Sequence, residues 1–168
     1  MNCPVFKYHP NILENKNVIH DKGICQCCGK QVEIFIDSMY CEKEIACICL
    51  NCVADGSAAA KFDGSFVQDA MRVSDKKKTE ELFLRTPGYR SWQGEYWLAC
   101  CDDYCEYLGT VGLAELESLG IEDEVISEYE SKKGITIDKK YLTKSGTMVG
   151  YLFRCLHCKR YHLWIDMS

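Results

Sequence analysis

The sequence predicts an α+β fold in which short strands and helices are held together by clusters of cysteine residues. Apolar stretches of two kinds alternate along the chain, some with the two-residue period of strands and others with helical spacing. In addition, 13 of the 168 residues are cysteines, and three C-x2-C pairs are among them. Because 47% of the residues are hydrophobic, the chain can also fill an apolar core, so the cysteines do not substitute for one.

The first predicted elements are a β-hairpin and a helix. The stretch VEIFI at 32–36 is rich in β-branched and aromatic residues, and EIACI at 44–48 supplies the second strand. The stretch ADGSAAAKF at 54–62 has the composition of a helix and follows directly. Together these elements predict a small lobe at 24–62.

The middle of the chain, 63–135, is predicted to be mainly helical, with a break at Pro87-Gly88. Three helices are expected there: 76–85, 113–119 and 122–132. Towards the end of the chain, alternating apolar residues stand before and after a cysteine turn: Val149, Tyr151 and Phe153, then Tyr161, Leu163 and Ile165. This pattern predicts a C-terminal β-hairpin within a second lobe at 85–168, and we expect a single domain over 1–168.

The first two cysteine pairs predict a zinc site. Cys25 and Cys28 form one pair, and Cys49 and Cys52 form the other. Two residues between thiolates allow a tight turn that directs both sulfurs at one ion, and Gly29 suits the positive φ of such a turn. Zinc prefers four soft ligands in a closed tetrahedron, which two pairs supply. A pair, a hairpin and a second pair at a helix start is the order of treble-clef zinc fingers, so we expect a treble-clef-like lobe.

The third pair predicts a second zinc site at the turn of the C-terminal hairpin. Cys155 and Cys158 supply only half of a tetrahedron, and we expect Cys101 and Cys105 to complete it. The x3 spacing of Cys101 and Cys105 is less regular than x2, so three further ligands stay open as alternatives: Cys100, His157 and His162. Without metal, the third pair would simply be small, semi-buried side chains in a hairpin.

The two predicted sites leave five cysteines over: Cys3, Cys27, Cys41, Cys47 and Cys100. Cys27 is an alternative to Cys25 as a ligand. Cys49 and Cys52 also occupy the place of a C-x-x-C redox motif, after a strand and before a helix. However, the presence of a second C-x2-C pair, at the spacing typical of zinc sites, favours metal binding. A cage of four cysteines has no open coordination position, so both zinc ions are predicted to be structural rather than catalytic.

The composition and the charge of the chain limit which cellular compartment and which binding partners are expected. The N-terminal residues lack the basic and apolar segments of a secretory signal, and no apolar run approaches the roughly 18 residues of a membrane span. We therefore predict a cytoplasmic protein without a membrane span, whose reduced cysteines serve as metal ligands. The net charge of −5 and the pI of about 5.4 argue against nucleic acid as a partner.

The charge is unevenly distributed. Ten acidic residues and no Lys or Arg lie between Asp102 and Glu130, whereas six basic residues and no acidic one lie between Lys139 and Trp164. We expect an acidic helical surface beside a basic strand surface. The alternative is that the basic strands bind single-stranded nucleic acid, with Tyr151, Phe153 and Tyr161 available for stacking.

Four blocks of sequence occur together: FKYHP at 6–10, NCVADGSAAAKFDGSF at 51–66, RTPGYRSWQGEYW at 85–97 and FRCLHC at 153–158. In these blocks, and over nearly its whole length, the chain resembles the CbrC family of bacterial proteins. The resemblance implies an association with tolerance to colicin E2. It supplies no catalytic residue and no substrate.

These observations favour a zinc-stabilised binding or stress-response protein, with a protein partner of unknown identity, over an enzyme. One alternative is an immunity-like protein whose acidic segment attracts a basic nuclease toxin. Another is an enzyme with a pocket around RTPGYRSWQGEYW, because aromatic side chains stand there beside Arg, Gln and Glu. The competing expectation for that segment is a Pro-Gly turn whose aromatic side chains pack over the zinc lobes.

Overall fold

The structure is a computed structural model that describes residues 3–167. It has the expected mixture of helices and small sheets, divided here into a first and a second lobe. The first lobe contains β1 (Val18–Ile24), β2 (Gln31–Ile36), β3 (Ile48–Cys49), α1 (Leu50–Ala54) and α2 (Ser57–Phe62). The second lobe contains β4 (Asp69–Ala70), α3 (Lys76–Arg85), β5 (Tyr96–Trp97), β6 (Ala99–Cys100), β7 (Asp103–Tyr104), β8 (Glu106–Val111), α4 (Leu113–Leu119), α5 (Glu122–Lys133), β9 (Met148–Arg154) and β10 (Tyr161–Met167).

The first lobe is built on an antiparallel sheet with the order β1-β2-β3. The strand predicted at 32–36 is present as β2, but of the strand predicted at 44–48 only Ile48 pairs with β2. Strand β1 was not predicted, because its sequence VIHDKGI interrupts apolar alternation with polar residues. The turn between β1 and β2 carries the first cysteine pair, so this hairpin positions Cys25 and Cys28.

The helix expected at 54–62 is split into α1 and α2. Gly56 has a φ of 78°, a left-handed conformation that ends one helix and precedes the next. The Asp55 side chain accepts a hydrogen bond of 2.8 Å from the backbone N–H of Ser57, which caps the start of α2. Helix α1 begins at Leu50, directly after Cys49.

The second lobe is built on an antiparallel sheet with the order β10-β9-β8, and β9 and β10 form the expected C-terminal hairpin. Leu152 pairs with Leu163 on the face that α4 and α5 cover. Helices α3, α4 and α5 lie where the sequence predicted them, with one added residue at the end of α5. The prediction that 63–135 is mainly helical was wrong, because strands β4 to β8 also lie in that range. Because helices cover one face and aromatic side chains the other, β9 is buried on both sides.

Two of the four aromatic residues of the RTPGYRSWQGEYW segment lie in the core of the second lobe. Tyr89 and Trp97 are buried, and Tyr89 stacks on Tyr107 with ring centroids 4.5 Å apart. The indole N–H of Trp97 donates a 2.9 Å hydrogen bond to the carbonyl of Cys105. These rings therefore pack within one lobe instead of bridging both cysteine-rich regions.

Hydrogen bonds join the two lobes. The N–H of Phe66 donates to the carbonyl of Phe83 at 2.8 Å, and the side-chain amide of Asn17, directly before β1, donates to the carbonyl of Gly88 at 3.3 Å. The apolar cluster of the first lobe reaches from Phe6 to Phe66, beyond the range 24–62. Within residues 3–167, no helix has the length and apolar character that crossing a bilayer requires.

Candidate metal centres

The structure brings Cys25, Cys28, Cys49 and Cys52 together in the first lobe. The four sulfur atoms lie within 4.8 Å of one another, and the contacts between Cys25 and Cys52 and between Cys28 and Cys49 measure 4.0 and 3.9 Å. Four thiolates bound tetrahedrally to one zinc ion at about 2.3 Å stand about 3.8 Å apart. A disulfide would require about 2.0 Å. The first thiol group therefore has the dimensions of a zinc cage.

A tight turn between β1 and β2 directs the first two sulfurs. The N–H of Cys25 donates to the carbonyl of Lys30 at 2.9 Å, and the N–H of Gly29 donates to the carbonyl of Cys25 at 2.8 Å. Gly29 has a φ of 73°, as its position after the pair predicted. This turn, residues 25–30, is called the first knuckle.

Side chains outside the thiol group fix the first knuckle. The Gln26 amide oxygen accepts hydrogen bonds from the N–H groups of Ala46 and Cys47 at 2.7 and 3.0 Å. The Lys61 ammonium, on α2, donates to the carbonyls of Gln26 and Cys27 at 2.9 and 2.7 Å. Sequence reasoning did not identify these two supports, because neither residue is a ligand type.

The other two sulfurs of the first thiol group come from the start of α1. Cys49 precedes the helix and Cys52 lies in its first turn. Burial alone would raise the pKa of the Cys25 thiol, but backbone N–H groups of Cys49 and Cys28 bond to its sulfur and lower the pKa to about 7. Burial raises the pKa of Cys52, whose backbone carbonyl accepts a hydrogen bond from the Ser57 hydroxyl at 3.4 Å. A bound cation would favour the ionised form of such a buried thiol.

The second thiol group contains Cys100, Cys101, Cys155 and Cys158, whose sulfurs also lie within 4.8 Å of one another. The sulfur of Cys100 is 3.8 Å from that of Cys101 and 3.7 Å from that of Cys158. These separations suit tetrahedral zinc as well. The structure thus brings together three of the four cysteines predicted for a second site, and Cys100 stands in place of Cys105.

Local backbone geometry explains why Cys105 lies outside the second thiol group. Strands β6 and β7 form a hairpin whose two turn residues, Cys101 and Asp102, have φ values of 54° and 53°. Positive φ at both turn positions is the pattern of a type I′ turn, which brings Cys100 and Cys101 to the hairpin tip. Cys105 lies beyond β7 and is fully buried in the core of the second lobe. Glycine or asparagine normally marks such a turn, and neither residue is present at these two positions, so the turn was not predicted.

A second knuckle, residues 155–160, repeats the hydrogen bonds of the first. The N–H of Cys155 donates to the carbonyl of Arg160 at 2.9 Å, and the N–H of Lys159 donates to the carbonyl of Cys155 at 3.2 Å. Lys159 occupies the position of Gly29 and has a φ of 63°. Burial opposes ionisation of Cys155, but N–H groups of Cys158 and His157 lower the pKa of its thiol to about 6.

The two histidines weighed as ligands bond elsewhere. The His157 ring is 3.0 Å from the carboxyl of Asp103, and the His162 ring is 2.9 Å from Glu128. Neither histidine belongs to a thiol group in the described part of the chain. Burial would raise the pKa of Asp103, but hydrogen bonds from His157 and from the Tyr8 hydroxyl lower it to about 2. Asp103 thereby ties the second knuckle to the N-terminal segment.

The remaining cysteines are free thiols outside both groups. Cys47 is buried beside the first thiol group, and the sulfur of Cys27 lies 3.5 Å from the Ser57 hydroxyl. Cys25, and not Cys27, therefore occupies the first position of the group. The structure places Cys49 and Cys52 among four thiols instead of isolating them as a redox pair.

The acidic and basic segments face each other through ion pairs. Salt bridges connect 102–130 with 139–164 at several places: Lys139 with Asp123, Lys144 with Glu115, Arg154 with Glu106, and Arg160 with Glu124 and Glu128. Most of the basic residues of this segment thus have acidic neighbours within the chain. Five of the ten acidic residues and four of the six basic residues take part in these pairs.

The RTPGYRSWQGEYW segment is packed at its ends and open in its middle. Tyr89 and Trp97 are buried, whereas Trp92 is 71% exposed. Arg90, Ser91 and Trp92 line a cleft of about 770 Å³. A pocket beside this segment is therefore present, although most of its lining comes from other parts of the chain.

The family model described as "Uncharacterised protein family (UPF0167)" matches residues 3–167. The UPF0167 protein PA1536 of Pseudomonas aeruginosa is 35% identical over 175 residues, which cover 98% of this chain and 97% of that protein. The UPF0167 proteins Mb2317 of Mycobacterium bovis and MT2352 of Mycobacterium tuberculosis are each 34% identical, covering 98% of this chain and 94% of theirs. No solved structure matches the chain.

These matches correct the resemblance drawn from the four sequence blocks. That resemblance was to the CbrC family, and neither the matching model nor these relatives carry that label or mention colicin tolerance. The prediction of a CbrC protein was therefore wrong, and with it the colicin E2 association loses its support. The chain belongs to the UPF0167 family.

Proposed function

We propose that this chain is a zinc-binding protein in which two four-cysteine sites hold structural zinc ions, leaving the remaining surface for binding. The observation that carries the proposal is the pair of separate thiol groups, each with all its sulfurs within 4.8 Å of one another. The measured sulfur separations, 3.7–4.0 Å, suit tetrahedral coordination and are too long for disulfides. Four thiolates leave no open position on zinc, which supports a structural role.

The order of elements around the first thiol group supports a treble-clef-like lobe. A hairpin turn supplies Cys25 and Cys28, and the start of a helix supplies Cys49 and Cys52. The second site would instead join the tips of two hairpins. Contacts between the lobes support one domain over 1–168. The 13 free thiols favour a reducing compartment, so we place the protein in the cytoplasm.

Metal analysis of protein purified without added metal tests this proposal. We expect two zinc ions per chain by mass spectrometry, because eight thiols form two complete ligand sets. Tetrahedral thiolate sites also accept iron. Iron in place of zinc, or fewer than one metal ion per chain after reduction, would contradict the proposal.

Cysteine variants test which residues form the second site. Cys100→Ser is expected to lower the zinc content from two ions to one, because Cys100 belongs to the second thiol group. Cys105→Ala is the matched control, since Cys105 is a buried cysteine of the same segment outside that group. If Cys105→Ala loses one zinc ion and Cys100→Ser keeps two, the ligand set proposed here is wrong.

A further inference from the structure

The cleft of about 770 Å³ lies against the second lobe, and no cysteine of the described chain lines it. Its lining comes from four separate parts of the chain: 9–16, 90–92, 107–110 and 144–151. The volume falls within the range of about 300–1,000 Å³ that is typical of small-molecule sites. The cleft is therefore large enough for a ligand and independent of both thiol groups.

Positive charge predominates in the lining. Lys16, Arg90 and Lys144 line the cleft together with a single carboxylate among the described residues, that of Glu14. Lys144 forms an exposed ion pair with Glu115 at 3.2 Å, whereas neither Lys16 nor Arg90 pairs with any residue of 3–167. The chain as a whole has a net charge of −5, so the cleft carries the opposite sign. A cleft of this charge attracts anionic ligands.

A buried carboxyl group fixes the loop that carries Trp92. Asp166 is 2% exposed, and its Oδ2 accepts hydrogen bonds from the N–H groups of Trp92 and Gln93 at 3.1 and 3.4 Å. The Ser91 hydroxyl donates to the same oxygen. Trp92 nevertheless remains 71% exposed, although burying a tryptophan is strongly favourable. An exposed ring at the rim of a cleft, on backbone that is held by hydrogen bonds, is suited to stacking on a planar ligand.

The floor of the cleft is formed by two tyrosine residues and by the backbone of a strand. The Tyr107 and Tyr151 rings line it, and strand β8 bulges there, because Tyr107 pairs with Phe153 and Gly109 with Leu152. Gly109 has a φ of 131°, and no atom lies within 4 Å of the position that a Cβ would take. A glycine bulge of this kind often marks the close approach of a ligand to a strand.

We propose that this cleft binds a small ligand that combines an anionic group with a planar ring, the chemistry of a nucleoside phosphate. Arg90 and Lys16 hold the anionic group, and Trp92 stacks on the ring. This inference gives a ligand class to the binding role proposed above and rests on it. None of the proposed metal ligands takes part, so zinc content and ligand binding can fail separately.

Titration of the zinc-loaded full chain with adenosine 5′-monophosphate tests the inference, by calorimetry and by tryptophan fluorescence. We expect saturable binding that weakens at high salt. Adenosine lacks the anion and inorganic phosphate lacks the ring, so each should bind at least about ten-fold more weakly. Arg90→Ala and Trp92→Ala should each weaken binding of the monophosphate by about ten-fold or more.

Matched controls are exposed residues outside the cleft. Arg72→Ala removes an arginine that forms no ion pair within the described chain, and Tyr141→Ala removes a ring that is 53% exposed. Both should bind the monophosphate as the original chain does. Absence of saturable binding, equal affinity for phosphate alone, or equal losses in the controls would overturn the inference. Any of these results with two zinc ions still bound would leave the proposed metal sites intact.

Discussion

The two thiol groups share one knuckle and differ in what completes it. Residues 25–30 and 155–160 make the same two backbone hydrogen bonds and place two sulfurs in the same way. In the first group the other sulfurs come from the start of α1, whereas in the second they are adjacent residues at a hairpin tip. A knuckle therefore defines half of a site, and the elements that supply the other half determine how strongly the site is buried.

The burial of the two groups differs accordingly. Cys25, Cys49 and Cys52 are buried, and Cys28 is exposed. In the second group only Cys155 is buried. Cys25, Cys49 and Cys52 belong to the apolar cluster of the first lobe, whereas only Cys155 of the second group is a buried member of the two clusters around the sheet of the second lobe. We therefore expect the first lobe to depend on its metal more than the second lobe does.

The largest effect is expected from removing one ligand of each group. Cys28→Ser and Cys158→Ser replace exposed cysteines at equivalent knuckle positions, so neither opens a cavity. Structural zinc contributes about 10–16 kcal/mol of apparent binding free energy, comparable to the whole stability of a domain. Cys28→Ser should unfold the first lobe, whereas Cys158→Ser should lower the melting temperature and keep the sheet β8–β10.

Amide hydrogen exchange measures both outcomes. Protection of β1 and β2 should disappear in Cys28→Ser, and protection of β9 and β10 should persist in Cys158→Ser. Equal loss of protection in both lobes for either variant would show that the lobes do not differ in their dependence on metal.

Acid should release both zinc ions. Folding lowers the pKa of Cys25 to about 7 and that of Cys155 to about 6 from 9.0, so their ionised forms stabilise the fold above pH 9. That contribution is lost as the pH falls through about 7 and 6. Zinc also requires the remaining thiols to lose their protons, so uptake near neutral pH should release about two to four protons per ion. Calorimetry in buffers of different ionisation enthalpy measures this number, and zinc uptake without proton release would contradict it.

A chelator should distinguish the two sites by rate. Three of the four cysteines in the second group are exposed or half-buried, but only one in the first group is exposed. We expect EDTA to remove the second zinc ion about ten-fold faster than the first. Stopped-flow detection of released zinc in the wild type should show two phases, and Cys158→Ser should lack the faster one. Loss of the slower phase in that variant would reverse the assignment.

The smallest expected effect comes from exchanging the residues with positive φ in the two knuckles. Gly29 and Lys159 have φ values of 73° and 63°, a conformation that costs a non-glycine residue about 1–2 kcal/mol. Gly29→Lys should therefore lower the free energy of unfolding by about 1 kcal/mol, and Lys159→Gly should raise it by a similar or smaller amount. Urea denaturation of the zinc-loaded variants measures both. A stabilising Gly29→Lys would contradict the shared knuckle geometry.

The same comparison explains how far the sequence predicts the molecule. The first thiol group follows from two regular C-x2-C pairs, and α5 follows from the helical spacing of Val125, Ile126 and Tyr129. The second knuckle was also predictable from its spacing, and Cys101 was predicted as one of its two partners. Cys100 was only an alternative for the other, because its place depends on a type I′ turn formed by Cys101 and Asp102, which lacks the usual glycine. Asp102 is the signal that was available, since aspartate tolerates positive φ better than most residues.

Other differences also arise from tertiary context. Strand β1 has polar residues at exposed positions and becomes a strand by pairing with β2. The cleft is formed by four parts of the chain that are distant in sequence, so only its Arg90–Trp92 edge lay in a segment that the sequence marked for binding. Short-range patterns predicted helices and knuckles, but surfaces assembled from several elements required the fold.

X-ray absorption at the zinc edge tests the central claim most directly, because it measures the ligands of bound zinc. Applied to the chain as purified, it should show only sulfur neighbours, about four per zinc ion at about 2.3 Å. A nitrogen or oxygen neighbour at about 2.0–2.1 Å would mean that a histidine, a carboxylate or water completes a site, contradicting two four-cysteine cages.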